Sequence, residues 1–320
     1  MNRPHVTRLA PSPTGALHLG NARTFLVNYL LARQDGWRIL MRVEDLDGPR
    51  VKAGSTEPML EELAWLGLTW EGPIVFQSGR GPAYRAALER LIEMGWAYPC
   101  TCSRKDVEQA GSAPHAGAAV AAYPGTCRGR YASAEAAAAT GKALAWRVRT
   151  GAVPILVEDR FAARRQINLA RCGGDFVIFK NDGLAAYQLA VVVDDAAGGI
   201  DAIVRGDDLL ESAARQIHLR RVLGLAPEPA YWHLPLVVGP DGRRLAKRHG
   251  DTRLAHYRRR GATPRRILGL LAFWSGIIDR RREADMDELV ERFDLAKLPP
   301  RPVVFDTEDD KFLAQEKADA

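Results

Sequence analysis

Arg8-Leu9-Ala10-Pro11-Ser12-Pro13-Thr14-Gly15-Ala16-Leu17-His18-Leu19-Gly20-Asn21 is the stretch from which the rest of the chain is read. The residues entering it, Val6-Thr7-Arg8-Leu9, suit a short buried strand, and the proline- and glycine-rich segment from Ala10 to Gly15 cannot be helical. Beyond it, Ala22, Phe25, Leu26, Tyr29 and Leu30 recur at i, i+3, i+4, i+7 and i+8, which predicts a helix with Asn21 as its N-cap. A mostly apolar run over 37–43 predicts a second buried strand. Strand, loop, helix, strand is the unit that builds a parallel sheet, and a rigid loop feeding a helix N-terminus is a natural phosphate site. On this reading Gly20 lets a flat ligand approach the backbone, and His18 donates to phosphoryl oxygens.

The pattern continues outward. Thr56-Glu57-Pro58 starts a helix that Gly67 ends, and Tyr84, Ala87, Leu88, Leu91 and Ile92 share one face of another that stops at Gly95. From 100 to 145 the texture changes to clustered cysteines and low-information alanine, glycine and proline, as expected of an insertion. Alternation resumes at Ala145-Trp146-Arg147-Val148, and apolar runs at 176–179, 190–193 and 203–204 are expected to complete the sheet. A further strand is predicted over 234–238, then a turn, Gly239-Pro240-Asp241-Gly242, a basic loop, and helices from about Thr263 onward.

Composition bounds the function. Among 320 residues, 47% are hydrophobic and 26% charged, ordinary globular values that argue against disorder. No apolar run approaches the roughly 18 residues of a membrane span, and the first residues lack a secretory signal, so a cytoplasmic protein with no membrane partner is expected. Forty-five Lys and Arg against 39 Asp and Glu leave a net charge of +6. The excess gathers late, at Arg258-Arg259-Arg260, Arg265-Arg266 and Arg280-Arg281-Arg282, which suits a polyanion such as RNA.

Two further constellations carry chemistry. A lysine on a mobile basic loop, Lys247 within Arg243-Arg244-Leu245-Ala246-Lys247-Arg248, can deliver positive charge to a phosphorus centre when substrates are bound. Cys100, Cys102 and Cys127 can hold a structural zinc ion tetrahedrally if a fourth group joins them; Cys172 reads as a free thiol. Sequence chemistry alone offers His115 as that fourth ligand.

These elements, in this order, resemble the class I aminoacyl-tRNA synthetases. The stretch from Arg8 to Gly20 is similar to the first signature of glutamyl-tRNA synthetases. So are Arg42-Val43-Glu44-Asp45-Leu46-Asp47, the segment from Asp182 to Asp195, Ile203-Val204-Arg205-Gly206-Asp207-Asp208-Leu209 and His233-Leu234-Pro235-Leu236. The chain ends short of the anticodon-binding part of those enzymes. With its motifs and cysteine insertion it resembles their paralogue family, the glutamyl-queuosine tRNA(Asp) synthetases. Arg244-Leu245-Ala246-Lys247-Arg248 departs from the second signature, keeping the lysine but replacing the first lysine, the middle serine and the last position.

The resemblance implies an α/β fold: a Rossmann-like parallel-sheet nucleotide-binding domain in two halves (1–99 and 146–255, the second with the ATP loop), a small zinc-binding insertion (100–145) and a helical C-terminal extension (256–320). It implies a glutamate site at Arg8, Leu9, Ala10, Pro11, Ser12, Glu44, Tyr187 and Arg205. ATP with Mg²⁺ would sit at His18, Gly20, Asn21 and Lys247, with His18 and Lys247 as the catalytic groups, and Tyr123 would be the fourth zinc ligand. The physics agrees, since guanidinium forks suit carboxylates and one carboxylate suits an ammonium group. The implied reaction is attack of glutamate on the α-phosphorus of ATP, then transfer of the glutamyl group to queuosine of tRNA(Asp) by a monomeric ligase. Two alternatives are a truncated glutamyl-tRNA synthetase charging the 3′ terminal adenosine and an inactive RNA-binding paralogue.

Overall fold

The computed structural model describes residues 4–13, 17–46, 51, 54–103, 105–107, 122–245 and 250–314. In chain order the first elements are β1 (Val6–Leu9), α1 (Leu19–Gln34), β2 (Arg38–Val43), α2 (Thr56–Trp65), β3 (Val75–Phe76), α3 (Gly81–Glu93) and β4 (Ala97–Cys100). There follow α4 (Ala134–Ala138), β5 (Ala145–Val148), β6 (Ile155–Val157), β7 (Arg165–Ile167), β8 (Phe176–Phe179), α5 (Tyr187–Ala197), β9 (Ala202–Gly206), α6 (Leu210–Leu223), β10 (Ala230–Leu234) and β11 (Val237–Val238). The last are α7 (Leu254–Arg259), α8 (Pro264–Trp274), α9 (Met286–Arg292), β12 (Val303–Val304) and α10 (Thr307–Ala314).

Strand β1 pairs in parallel with β2, Val6 opposite Arg38 and Leu9 opposite Met41, and β2 pairs in parallel with β3. Strand β9 pairs in parallel with β10. The Asp201 N–H donates to the Val6 carbonyl (3.1 Å) and the Val6 N–H to the Asp201 carboxylate (2.7 Å), which sets β9 alongside β1. The strands lie in the order β3-β2-β1-β9-β10, the order of a doubly wound nucleotide fold, as two hydrogen-bonded parallel sheets, β1-β2-β3 and β9-β10, that meet between β1 and β9, where the order reverses. Ligands of such sheets bind at that reversal, beyond the carboxyl ends of the strands.

Helix α1 is buried on nearly all sides, because the sheet covers one face and α8 and α9 cover the other. Its apolar residues share one core with Leu9 and Met41 of the sheet and with Leu254, Tyr257, Ile267, Leu271, Trp274 and Leu313 of the C-terminal helices. Among the described residues no helix is long and apolar enough to cross a membrane.

Several expectations are corrected. The run at 190–193 is helical, inside α5, because a short apolar run reads the same for a buried helix as for a strand. Strand β8 pairs antiparallel with β5, which pairs antiparallel with β4, so only β9 and β10 extend the parallel order after the interruption. The single strand expected over 234–238 is two, broken at Pro235, which has no N–H to donate, and β11 pairs with the late strand β12 instead.

Candidate active site

A cavity of about 830 Å³ opens beyond the carboxyl ends of β1 and β9. Ala10, Pro11 and Ser12, leaving β1, form one wall, and Arg205, Gly206 and Asp208, leaving β9, form the opposite one. Glu44, just after β2, and Tyr187, at the start of α5 and partly exposed, also line the cavity. His18, Gly20 and Asn21 line the outer end at the start of α1. Leu9 is the exception among the expected glutamate residues, since its side chain lies in the apolar core with no exposure. Lys247 lies outside the described residues. The described residues flanking it are anchored at the cavity: Leu245 N–H donates to Val237, and Leu19 N–H to the Thr252 carbonyl.

The inner end is built from guanidinium groups. Arg8 is 5% exposed, and its buried Nε stands 3.5 Å from Asp195 as an ion pair but makes no hydrogen bond among the described residues. Arg42 pairs with Asp195 and, at 3.0 Å, with Glu44. Arg205 donates through Nε to His233 (3.0 Å), through Nη1 to Gln216 (2.8 Å) and through Nη2 to the Leu209 carbonyl (3.3 Å). Those bonds use three of its five N–H groups and leave two. Arg8, Arg42 and Arg205 face Asp195 and Glu44, and Asp194 also acts on Arg42. Burial, with the repulsion of Arg42 and Arg205, pushes the Arg8 value down against the pull of Asp195. For Asp195 burial works upward, but Arg42 and Arg8 outweigh it and hold the carboxyl low.

His18 corrects the expected cap. It, not Asn21, is the N-cap of α1, its Nδ1 accepting from the Asn21 N–H at 3.4 Å. Burial and the charge of Arg244 lower its value to about 4, so the imidazole is neutral near pH 7. With Nδ1 accepting, the ring proton is on Nε2, and the ring keeps one donor. A Cβ at Gly20 would meet the His18 ring at 3.3 Å, so glycine here leaves room for that ring.

Sequence reading missed the support behind this pocket. Arg42, Asp195, Gln216, His233 and Asp159 are all buried, and Asp159 meets His233 Nδ1 at 2.5 Å. Asp194 accepts from Gln77 (2.8 Å), Arg80 (2.8 Å) and Tyr84 (2.7 Å). A signal was present: two adjacent aspartates in the apolar helix of Tyr187-Gln188-Leu189-Ala190-Val191-Val192-Val193 must be paired if buried. Lys180 also lines the cavity, 3.3 Å from Asp182.

A second cluster lies on the β4–β5–β8 side. The Sγ atoms of Cys100, Cys102 and Cys127 lie within 4.8 Å of one another, a group that can hold a metal ion. Cys102 Sγ is 3.4 Å from Cys127 Sγ, and the Tyr123 hydroxyl is 3.5 Å from Cys100 Sγ and 3.9 Å from Cys102 Sγ. The alternative fourth ligand, His115, lies outside the described residues.

The sheet, the arginine-lined cavity and the helix-capping histidine thus meet where the strand order reverses. The family described as tRNA synthetases class I (E and Q), catalytic domain, matches residues 5–310, and the chain belongs to it. Within that family it belongs with the glutamyl-Q tRNA(Asp) synthetases. It is 42% identical over 320 residues to the protein of that name from Rhodopirellula baltica, covering 94% of this chain and 96% of that one. To the one from Symbiobacterium thermophilum it is 46% identical over 307 residues, covering 92% and 94%. Its fold matches a glutamate tRNA ligase of Elizabethkingia meningosepticum, solved in complex with its amino acid, at a TM-score of 0.81 and 28% identity, covering 97% of this chain and 69% of that one. A glutamate-tRNA synthetase of Elizabethkingia anophelis matches at 0.82 and 28%, covering 97% and 70%.

Proposed function

We propose that the protein activates glutamate with ATP as glutamyl-adenylate and transfers the glutamyl group to the queuosine base in the anticodon of tRNA(Asp). The observation that carries the reading is the pair of buried guanidinium groups that line the cavity: Arg8, whose Nε stands 3.5 Å from Asp195 without a hydrogen bond among the described residues, and Arg205, with two N–H groups to spare. A buried cation with unspent donors is costly unless an anion completes it. The side-chain carboxylate of glutamate fits there, with Arg8, Ala10, Pro11, Ser12, Tyr187 and Arg205 around it and Glu44 for the ammonium group. The α-carboxylate is then left facing the nucleotide, where its oxygen attacks the α-phosphorus and pyrophosphate leaves.

Neutral His18 donates its Nε2 proton to a phosphoryl oxygen, and Gly20 and Asn21 border the nucleotide. Lys247 neutralises charge on the phosphates as it builds, and Mg²⁺ bound to ATP supplies the rest of that neutralisation. No general base is required, because the attacking carboxylate is already ionised.

The cysteine cluster is a structural zinc site with Tyr123 as fourth ligand. Zn–S bonds of about 2.3 Å in a tetrahedron put sulfurs roughly 3.8 Å apart; the Cys102 and Cys127 sulfurs lie 3.4 Å apart, all three sulfurs lie within 4.8 Å of one another, and the Tyr123 hydroxyl lies 3.5 and 3.9 Å from those of Cys100 and Cys102. Arg147 lies 3.8 Å over the Tyr123 ring with its Nε 3.3 Å from Cys100 Sγ, and offsets part of the ligands' negative charge. The small apolar cluster around Tyr98, Cys100, Tyr123 and Cys127 supports treating 100–145 as an insertion between two halves of the catalytic body, with 256–320 as a helical extension. Thiolate ligation also suits a reducing cytoplasm.

The test is a transfer assay with queuosine-containing and queuosine-free tRNA(Asp). Glutamate-dependent pyrophosphate exchange is expected without RNA, and stable glutamylation only of the modified tRNA. Equal charging of both would favour acylation of the terminal adenosine, and no exchange at all would leave an RNA-binding paralogue.

A further inference from the structure

We propose that Asp159 and His233 are positioning residues that aim Arg205 at the carboxylate of the amino-acid substrate; this rests on the reading that Arg205 binds that carboxylate. The chain of contacts is continuous. The N–H groups of Phe161 (2.9 Å) and Ala162 (2.6 Å) donate to Asp159 Oδ1, and Asp159 Oδ2 lies 2.5 Å from His233 Nδ1. On the other side of the ring, Arg205 Nε lies 3.0 Å from His233 Nε2.

The direction of each bond follows from Arg205. A guanidinium has only donors, so His233 Nε2 must accept and carry no proton. The ring proton is therefore on Nδ1 and is donated to Asp159, which fixes the tautomer and the plane of the imidazole. Both side chains have no exposure, so water cannot replace either bond. Burial lowers the His233 value despite Asp159, in keeping with a neutral ring.

The arrangement also explains why the segment between β6 and β7 reaches into the catalytic body. Asp159 bridges in parallel to Tyr231 of β10, and the Arg160 N–H donates to the Tyr231 carbonyl at 2.7 Å. The Tyr231 ring stacks on His233 at 13° and 5.7 Å, which leaves the imidazole little room to tilt. Gln216 and the Leu209 carbonyl hold the far end of the guanidinium, but Nε is held by His233 alone among the described residues. Loss of that acceptor leaves a buried N–H unpaired and frees the fork to rotate about its stem.

Asparagine and glutamine separate the two ring nitrogens. The amide of His233→Asn falls near Nδ1 and can keep the bond to Asp159 while losing the acceptor for Arg205; that of His233→Gln reaches the Nε2 position. Glutamate-dependent pyrophosphate exchange would be measured for both, for Arg205→Ala, and for the double variant Arg205→Ala/His233→Asn. His233→Asn is expected to raise the KM for glutamate about ten- to a hundredfold, as loss of an orienting partner does elsewhere. Its effect on the KM for ATP and on kcat should be much smaller. His233→Gln should recover most of the affinity, and His233→Asn should add nothing in the Arg205→Ala background. An unchanged glutamate KM in His233→Asn, or an equal further loss on top of Arg205→Ala, overturns the proposal while leaving the pocket intact. An unchanged KM in Arg205→Ala overturns the pocket reading itself.

Discussion

At the scale of single residues, the pocket is a problem in balancing buried charge. Asp195 stands between Arg8 and Arg42, all three buried, and the cluster is tolerable only because carboxylate and guanidinium groups offset one another's desolvation. Removing that one negative charge takes away the carboxylate that Arg8 and Arg42 share. Asp195→Asn is therefore expected to lower the unfolding free energy by about 3–5 kcal/mol at pH 7, read from urea denaturation. The pH dependence follows from the sign of the shift. Burial works to raise the Asp195 value, but Arg42 and Arg8 outweigh it, so the folded value lies below the unfolded one. Its contribution is then fully present above an ordinary carboxylate value of about 3.9 and is lost as pH falls through the lower folded value. The gap between wild type and Asp195→Asn should narrow below about pH 4. A gap that stays constant down to pH 2 would show that the charge of Asp195 is not what the cluster uses.

At the scale of elements, what could be read from the sequence depended on how local the cause was. Strand β1, the proline loop and α1 are specified by neighbours a few residues apart, and so are the helix stops at Gly67 and Gly95, both with positive φ. The cysteine group was legible because only a few residue types bind metal. The cap was misassigned because a histidine accepting through Nδ1 looks, in sequence, like any residue before a helix. The bonds behind the pocket join residues 153 apart for Arg42 and Asp195 and 74 apart for His233 and Asp159, and no periodicity carries such a pairing. The same dependence on distant partners governs the cysteine cluster, where β4 brings Cys100 and the segment before α4 brings Tyr123 and Cys127. With so small an apolar core, the metal is expected to hold these pieces together. Cys102→Ser should reduce bound zinc well below one per chain, measured by atomic emission, and should speed proteolysis within 100–145 while leaving the β1–α1 region protected. A full equivalent of zinc in that variant would remove Cys102 from the ligand set.

At the scale of the whole molecule, the late arginine clusters that pointed to RNA have two different fates. Arg260 faces Asp310, Arg265 faces Asp285, Arg282 pairs with Glu288, and Arg281 pairs with Asp306 and Asp309, so much of the positive charge is spent inside the extension. Arg259 and Arg280 are exposed and have no side-chain partner among the described residues. Composition counted all of these alike, although charge already paired within the fold adds little to the attraction of a phosphate backbone. Arg281 is the clearest case. Its Nε meets Asp309 at 2.7 Å, its guanidinium lies 4.8 Å over Phe273, and Asp309, with no exposure, also accepts from Trp274 at 3.1 Å. Arg281→Ala leaves the buried Asp309 carboxylate its bonds from Trp274 and the Asp306 N–H but removes its guanidinium partner. It is expected to cost about 2–3 kcal/mol of stability by urea denaturation, with the Kd for tRNA and its salt dependence nearly unchanged. Arg259→Ala should do the reverse, leaving the denaturation midpoint in place and lowering the slope of log Kd against log salt by about one. If Arg281→Ala instead weakened tRNA binding without loss of stability, the division of the basic surface into structural and RNA-facing charge would be wrong.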